Sequence, residues 1–139
     1  VIAFDSNLFI YVLDAHEQFG AMALDVFLQV EKEKEPITAS EMVLFEALAH
    51  PDLSDKDAKN IYNTLFDFDV TFVPIHSHIL LKAAKLRRTY HLGSLDAIHV
   101  ASAIHQQASH FITNDLILLK KRIPDIKLVS LQHFGSGAY

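Results

Sequence analysis

Four acidic residues in this chain stand where a charged pocket could form. Asp5 follows the apolar run Val1-Ile2-Ala3-Phe4, Glu46 lies inside Leu44-Phe45-Glu46-Ala47-Leu48, Asp96 sits in the first turn of a helix opening at Ser94, and Asp115 follows His110-Phe111-Ile112-Thr113. Three have ordinary local explanations: Asp5 and Asp115 suit helix N-caps, and Asp96 suits a helix N-terminal dipole, worth roughly 0.3–1 kcal/mol. Glu46 is harder to explain locally, because Met42 and Val43 precede it by a turn and Ala49 follows, and a mid-helix Glu on an apolar face is rarely buried without a partner. Glu41, in the first turn, is the more ordinary capping acid and a second candidate for the same role. If the four converge, each like-charged pair about 4 Å apart costs on the order of 4 kcal/mol at an effective dielectric of ~20, so protons or a cation must offset it. No Lys or Arg adjoins any of the four in sequence. Hard carboxylate oxygens in a chain without cysteine favour Mg²⁺ or Mn²⁺ over zinc.

The elements that must position these acids alternate. Short strand-like runs at Val1 to Phe4, Pro36 to Ala39, Val70 to Val73, His110 to Thr113 and Lys127 to Ser130 are separated by segments of helical periodicity. Helices are expected over Leu8 to Leu13, Phe19 to Val30, Glu41 to Ala49 behind Ser40, and Ser54 to Phe66. Others are expected over Ser77 to Tyr90, ended by Leu92-Gly93, from Ser94 onward, and from Asp115 to about Arg122. Parallel pairing requires crossovers and burial of both sheet faces, so the pattern implies an α/β fold: a single three-layer α/β/α sandwich with a mainly parallel sheet. Ligands of such sheets bind beyond the carboxyl ends of the strands, where strand order reverses. Asp5 and Asp115 are at that edge by construction, and Glu46 and Asp96 reach it if their helices pack as expected.

At 139 residues and 50% hydrophobic content the chain suits one domain, expected over 1–132, with a flexible tail over 133–139 around Gly135-Ser136-Gly137. The absence of cysteine excludes disulfides and thiolate metal sites. No apolar run approaches the roughly 20 residues of a bilayer span, which leads to a cytoplasmic expectation. The strand-like opening at Val1 implies that an initiator Met precedes it. The formal net charge of −5 argues against a nonspecific polyanion binder. With the four acids set aside, however, 12 Lys and Arg face 13 Asp and Glu, close to balance.

Asp5-Ser6-Asn7 after the first strand, Glu46 in the helix after the second, Ser94-Leu95-Asp96-Ala97 opening a helix and Thr113-Asn114-Asp115 after the fourth strand, taken together and in this order, resemble the PIN domain. The likeness is greatest to VapC-type toxins of bacterial toxin–antitoxin pairs and covers nearly the whole chain. The resemblance implies a PIN-like fold and a Mg²⁺- or Mn²⁺-dependent endoribonuclease, with Asp5, Glu46, Asp96 and Asp115 as metal-binding and catalytic acids. It also implies Asn7 and Thr113 as groups orienting carboxylates, a cognate antitoxin seated in a groove near the metals, and a homodimer. The family commonly has Thr where this chain has Ser6, which keeps a small hydroxyl. Glu46 is preferred to Glu41 because it lies deeper in its helix.

RNA phosphates should meet positive charge, for which Lys85, Arg88, Lys120 and Arg122, with Arg87 and Lys121, are the local basic residues; a solvated helix face is the competing explanation. His76, His78 and His105 carry no metal-ligand signature, while His99 shares a helical stripe with Asp96 and is expected to fill an interior role beside it. The apolar helices at Leu8 to Leu13 and Phe19 to Val30 are either core or an interface. A haloacid-dehalogenase-like phosphatase would need a second Asp where Asn7 stands, and a receiver domain would need a late Lys that Leu131-Gln132-His133 does not supply. A PIN-like scaffold that binds RNA or a protein without cutting is the remaining alternative.

Overall fold

The apolar runs form β1 (Ile2–Phe4), β2 (Ile37–Ser40), β3 (Val70–Val73), β4 (His110–Thr113) and β5 (Lys127–Ser130) in a computed structural model that describes residues 1–137. Around them lie α1 (Ser6–Leu13), α2 (Gly20–Lys32), α3 (Met42–Leu48), α4 (Asp55–Leu65), α5 (Ser77–Tyr90), α6 (Ser94–His105), α7 (Leu116–Leu119) and α8 (Leu131–Gly135). All strand pairs are parallel and the order is β3-β2-β1-β4-β5, with Ile2 opposite Ile37 on one side and His110 on the other. The chain therefore builds outward from β1 in one direction and then resumes at β4 on its other side. That reversal, between β1 and β4, is the point at which crossover loops part and leave a crevice.

Successive strand residues point to opposite faces, and the core divides accordingly. Ile2 and Phe4 of β1, Ile112 of β4 and Val129 of β5 enter one apolar layer, whereas Ala3, Phe111 and Leu128 enter the other. The first layer lies under α1, α2, α3, α4 and α8, the second under α5, α6 and α7. Both faces are covered, which is why the strands read as continuous apolar runs. In the first layer Phe4, Phe9 and Phe27 meet at centroid distances of 6.3, 4.7 and 5.2 Å, and Phe68 packs on Phe9 and Phe27. The edge-on pairs among them, Phe4–Phe27, Phe9–Phe27 and Phe9–Phe68, add about 0.5–1.5 kcal/mol each beyond burial.

Three local expectations change. The helix expected over Ser77 to Tyr90 has those bounds, but the left-handed residue that ends it is His91, with φ 57°, rather than the Leu92-Gly93 pair, and Gly93 is extended at φ −63° and serves as the N-cap of α6. The helix expected from Asp115 to Arg122 is a single turn, Leu116–Leu119. The flexible tail expected from 133 is instead ordered at its start: Ser130 Oγ accepts from His133 N (3.0 Å) to cap α8, and Leu131 and Phe134 are fully buried in the first layer. The apolar residues that drive this lie four positions and one position before the Gly-Ser-Gly run and escape a composition-based reading; Ala138 and Tyr139 lie outside the described residues. The two apolar N-terminal helices are mainly core, through Leu8, Phe9, Ala23, Val26, Phe27 and Val30, although Leu24 and Leu28 remain exposed.

If α8 is part of the core, Phe134→Ala should destabilise the protein by about 3–5 kcal/mol, the usual cost of a large-to-small aromatic cavity. Urea unfolding measures it, and a change below about 1 kcal/mol would mean that α8 is only loosely attached.

Candidate functional site

The crevice at the β1–β4 reversal is built on Asp5. Its backbone N–H donates to Ile112 O (3.0 Å), so it continues the β1–β4 pairing one residue past the strand, and its extended φ and ψ make it the N-cap of α1. Both carboxylate oxygens are held: Oδ1 accepts from Ser6 N (2.7 Å) and Oδ2 from Thr113 Oγ1 (2.6 Å). The Thr113 hydroxyl, itself fully buried, accepts in turn from Asp115 N (3.0 Å) and Asn7 Nδ2 (3.4 Å). One donor and two accepting lone pairs exhaust what a hydroxyl offers. Asn7 and Thr113 thus both bear on the orientation of Asp5.

Glu46 reaches this point from α3. Its Oε2 accepts from Ser6 Oγ (3.0 Å), which lies 3.4 Å from Asp5 Oδ1, and its Oε1 is hydrogen-bonded to His99 Nε2. His99 is 2% exposed, and the same Nε2 stands 3.9 Å from Asp5 Oδ1. Glu41 is elsewhere: its Oε1 accepts from Ile75 N (2.8 Å) and ties the start of α3 to the loop after β3. The two glutamates are thereby distinguished, with Glu46 at the crevice and Glu41 in a structural bond.

Asp96, in the first turn of α6, and Asp115, the N-cap of α7, complete the group. Asp115 Oδ1 accepts from Ile117 N (2.9 Å) and Leu118 N (3.1 Å), and its carboxylate lies close enough to Asp96 to act on its charge. Burial, then the charges of Asp5 and Asp115, push the Asp96 carboxyl up to about 6. Burial also raises Asp5, against the opposing pull of His99 and the bonds from Thr113 and Ser6. The His99 imidazole is raised in spite of its own burial, by the hydrogen bond to Glu46 and the charges of Asp5, Glu46 and Asp96. Among the described residues no Lys or Arg forms an ion pair with any of the four acids. The acids are neighbours rather than a closed cage, since no three His, Asp or Glu side chains among the described residues are gathered so as to hold a metal ion. Asn7 Oδ1 and His99 Nδ1 are buried without a hydrogen-bond partner.

The basic residues are less committed to the crevice. Lys85 and Arg88 are exposed on α5, and Lys120 and Arg122 are exposed just after α7. Arg87 is spent on the turn between α5 and α6, where its guanidinium donates to Leu92 O (3.2 Å) and Ser94 Oγ (2.8 Å). His76 contacts His78 and His105 at centroid distances of 5.7 and 5.1 Å, with no carboxylate in the group. Sequence reasoning underrated Ser6 and His99. The available signal was spacing: Ser6 adjoins Asp5, and His99 lies three residues, almost one helical turn, after Asp96.

A carboxyl raised from 3.8 to about 6 by folding binds a proton that the unfolded chain has lost, so stability falls as pH rises across that window and the penalty is complete above it. Asp96→Asn should therefore be more stable than the wild type at pH 7.5 in EDTA, by about 1 kcal/mol after discounting for solvent around a half-buried acid, with the gain vanishing near pH 4. Urea unfolding at the two pH values checks this, and an equal or lower stability at pH 7.5 would contradict it.

Comparison with known proteins agrees with this architecture. The fold is similar to that in the crystal structure of VapBC2 from Rickettsia felis bound to a DNA fragment from their promoter, with TM-score 0.70 and 20% identity over 93% of this chain and 97% of that one. A toxin–antitoxin complex from Klebsiella pneumoniae is similar at TM-score 0.67 and 19% identity, over 94% and 98% of the two chains. No curated protein matches the sequence. The family model for the PIN domain matches residues 2–123, which contain all four acids and every strand of the sheet but the last, and the chain belongs to the PIN domain family.

Proposed function

We propose that the protein is a Mg²⁺- or Mn²⁺-dependent endoribonuclease that hydrolyses RNA phosphodiester bonds, and that it is the VapC-type toxin of a toxin–antitoxin pair. The observation that carries this reading is the convergence of Asp5, Glu46, Asp96 and Asp115 at the strand-order reversal of a PIN domain, without a Lys or Arg ion pair to neutralise them. The donor set fits a hard divalent cation. Its oxygens are carboxylates, Asn7 Oδ1 is buried with no partner, and the charges of Asp5 and Asp115 both bear on Asp96. Asp5, Asp96 and Asp115 would hold the ion, with Glu46 beside Asp5. When bound, such an ion lowers the pKa of water and stabilises negative charge on a phosphate and its leaving oxygen.

The chain's own groups do the positioning. Ser6 N and Thr113 Oγ1 fix Asp5, and the backbone N–H groups of Ile117 and Leu118 fix Asp115, so neither acid is free to turn away. Lys85, Arg88, Lys120 and Arg122 would meet RNA phosphates flanking the crevice. No helix among the described residues is long and apolar enough to cross a membrane, and action on RNA accords with a cytoplasmic location.

An antitoxin partner is supported by a cleft of about 440 Å³ between α1, α3 and α4, lined by Ile10, Leu13, Ala47, Leu53 and Ile61 and reaching Glu46. It suits an apolar segment with a basic side chain directed at the acids. Leu81, Leu116 and Ile117, each at least 70% exposed, support a homodimer. The alternative is a PIN scaffold that binds RNA or a protein without cutting, and the acids' lack of a closed cage favours it.

Purified protein should cleave a mixed set of structured and single-stranded RNAs with Mg²⁺ or Mn²⁺ and not with EDTA. Asp5→Asn and Asp96→Asn should each lose roughly a hundredfold or more of that rate, at or beyond the loss from outer-shell metal-site changes, with unchanged circular dichroism. RNA binding without metal-dependent cleavage would favour the scaffold.

A further inference from the structure

Beyond the four acids, the buried ionisable side chain at the crevice is His99, and α6 delivers it together with Asp96. Ala97, Val100, Ala101 and Ala103 pack the rest of the helix against its neighbours, so the ring is placed by the core rather than by its own bonds. Its Nε2 faces two carboxylates, Glu46 Oε1 at hydrogen-bond distance and Asp5 Oδ1 at 3.9 Å, while Nδ1 meets no partner. A neutral ring with its proton on Nε2 leaves only an unmatched acceptor at Nδ1, and an imidazolium also carries a proton on Nε2. Either form donates to Glu46.

We propose that His99 is a positioning residue that holds Glu46 beside Asp5 by donating from Nε2, so that the cation-binding acids stay assembled; this rests on the nuclease reading above. Ser6 Oγ restrains only Oε2 of Glu46. The Glu46 side chain is 22% exposed and borders the cleft between α1, α3 and α4. Without His99 the repulsion from Asp5 is opposed by one hydroxyl, and the carboxylate is free to turn into that cleft. Residues that orient metal ligands typically contribute roughly tenfold to a hundredfold in metal affinity.

The test compares wild type, His99→Gln, which keeps an N–H close to the Nε2 position, and His99→Leu, which keeps bulk without the donor. In histidine-labelled protein the ¹⁵N spectrum should show a proton on His99 Nε2, shifted upfield in Glu46→Gln. Calorimetric Mn²⁺ titration should show at least a tenfold loss in His99→Leu and recovery to within about threefold of wild type in His99→Gln. If His99→Leu does not fold, His99→Asn, whose amide falls short of Glu46, replaces it with the same expected loss. Absence of the Nε2 proton, indifference of that signal to Glu46→Gln, or unchanged Mn²⁺ affinity in the variant lacking the donor overturns the role alone. Wild-type protein that binds no Mn²⁺ and cuts no RNA overturns the nuclease reading and the role together.

Discussion

Asp5 is a carboxylate with almost no solvent, set at the seam between the first strand of the sheet and the fourth. Burial of such a group is unfavourable unless each oxygen is satisfied, and here a backbone N–H of α1 and the hydroxyl of Thr113 satisfy them. Those donors come from chain segments more than 100 residues apart, and the β1–β4 pairing continues through the Asp5 N–H itself. The acid therefore marks the register between the two halves of the sheet as well as the centre of the crevice. Moving β4 by one residue would turn Thr113 to the opposite face and leave Asp5 Oδ2 unbonded.

The same constraint explains the sharing of roles. Helix caps and site residues are commonly treated as alternatives, yet Asp5 and Asp115 are caps that also border the crevice. Each uses Oδ1 to cap the following helix, and the other oxygen of Asp5 meets Thr113. Capping anchors a carboxylate to rigid backbone, and that supplies the orientation an oxygen ligand needs. The arrangement holds acids close together against their repulsion, and it costs stability that a pocket lined with neutral groups would retain.

The strands and most helices could be read directly because the signals were local: short β-prone runs, caps such as Ser54, and apolar periodicity in α2 and α5. Asp5 and Asp115 could also be placed, since following a parallel strand puts a residue at the carboxyl edge whatever else the fold does. The choice between Glu41 and Glu46 could only be argued from depth in the helix, because the partners that separate them, Ile75 for one and His99 for the other, are distant in sequence. His99 gave the weakest signal for its position: a lone histidine among Ala, Ile and Val looks like core until its neighbours are known. The bounds of α5 were legible, but its stop was not: Leu92-Gly93 was the obvious breaker, whereas His91 takes the left-handed conformation, and the Arg87 bonds to Leu92 and Ser94 secure the turn that follows. Helix α8 was missed because its glycine-rich continuation dominated the local composition.

The seating of Leu131 and Phe134 in the same apolar layer as Ile2, Phe4 and Leu8 bears on how the protein is made. A growing chain that has emerged from the ribosome only as far as Asp115 already contains every acid of the crevice, but the layer beneath α1 still lacks its last two large side chains. The sheet also lacks β5, which borders β4. During synthesis the four acids would then be tethered in a chain whose packing is incomplete, and competence would come only after residue 134 has cleared the exit tunnel.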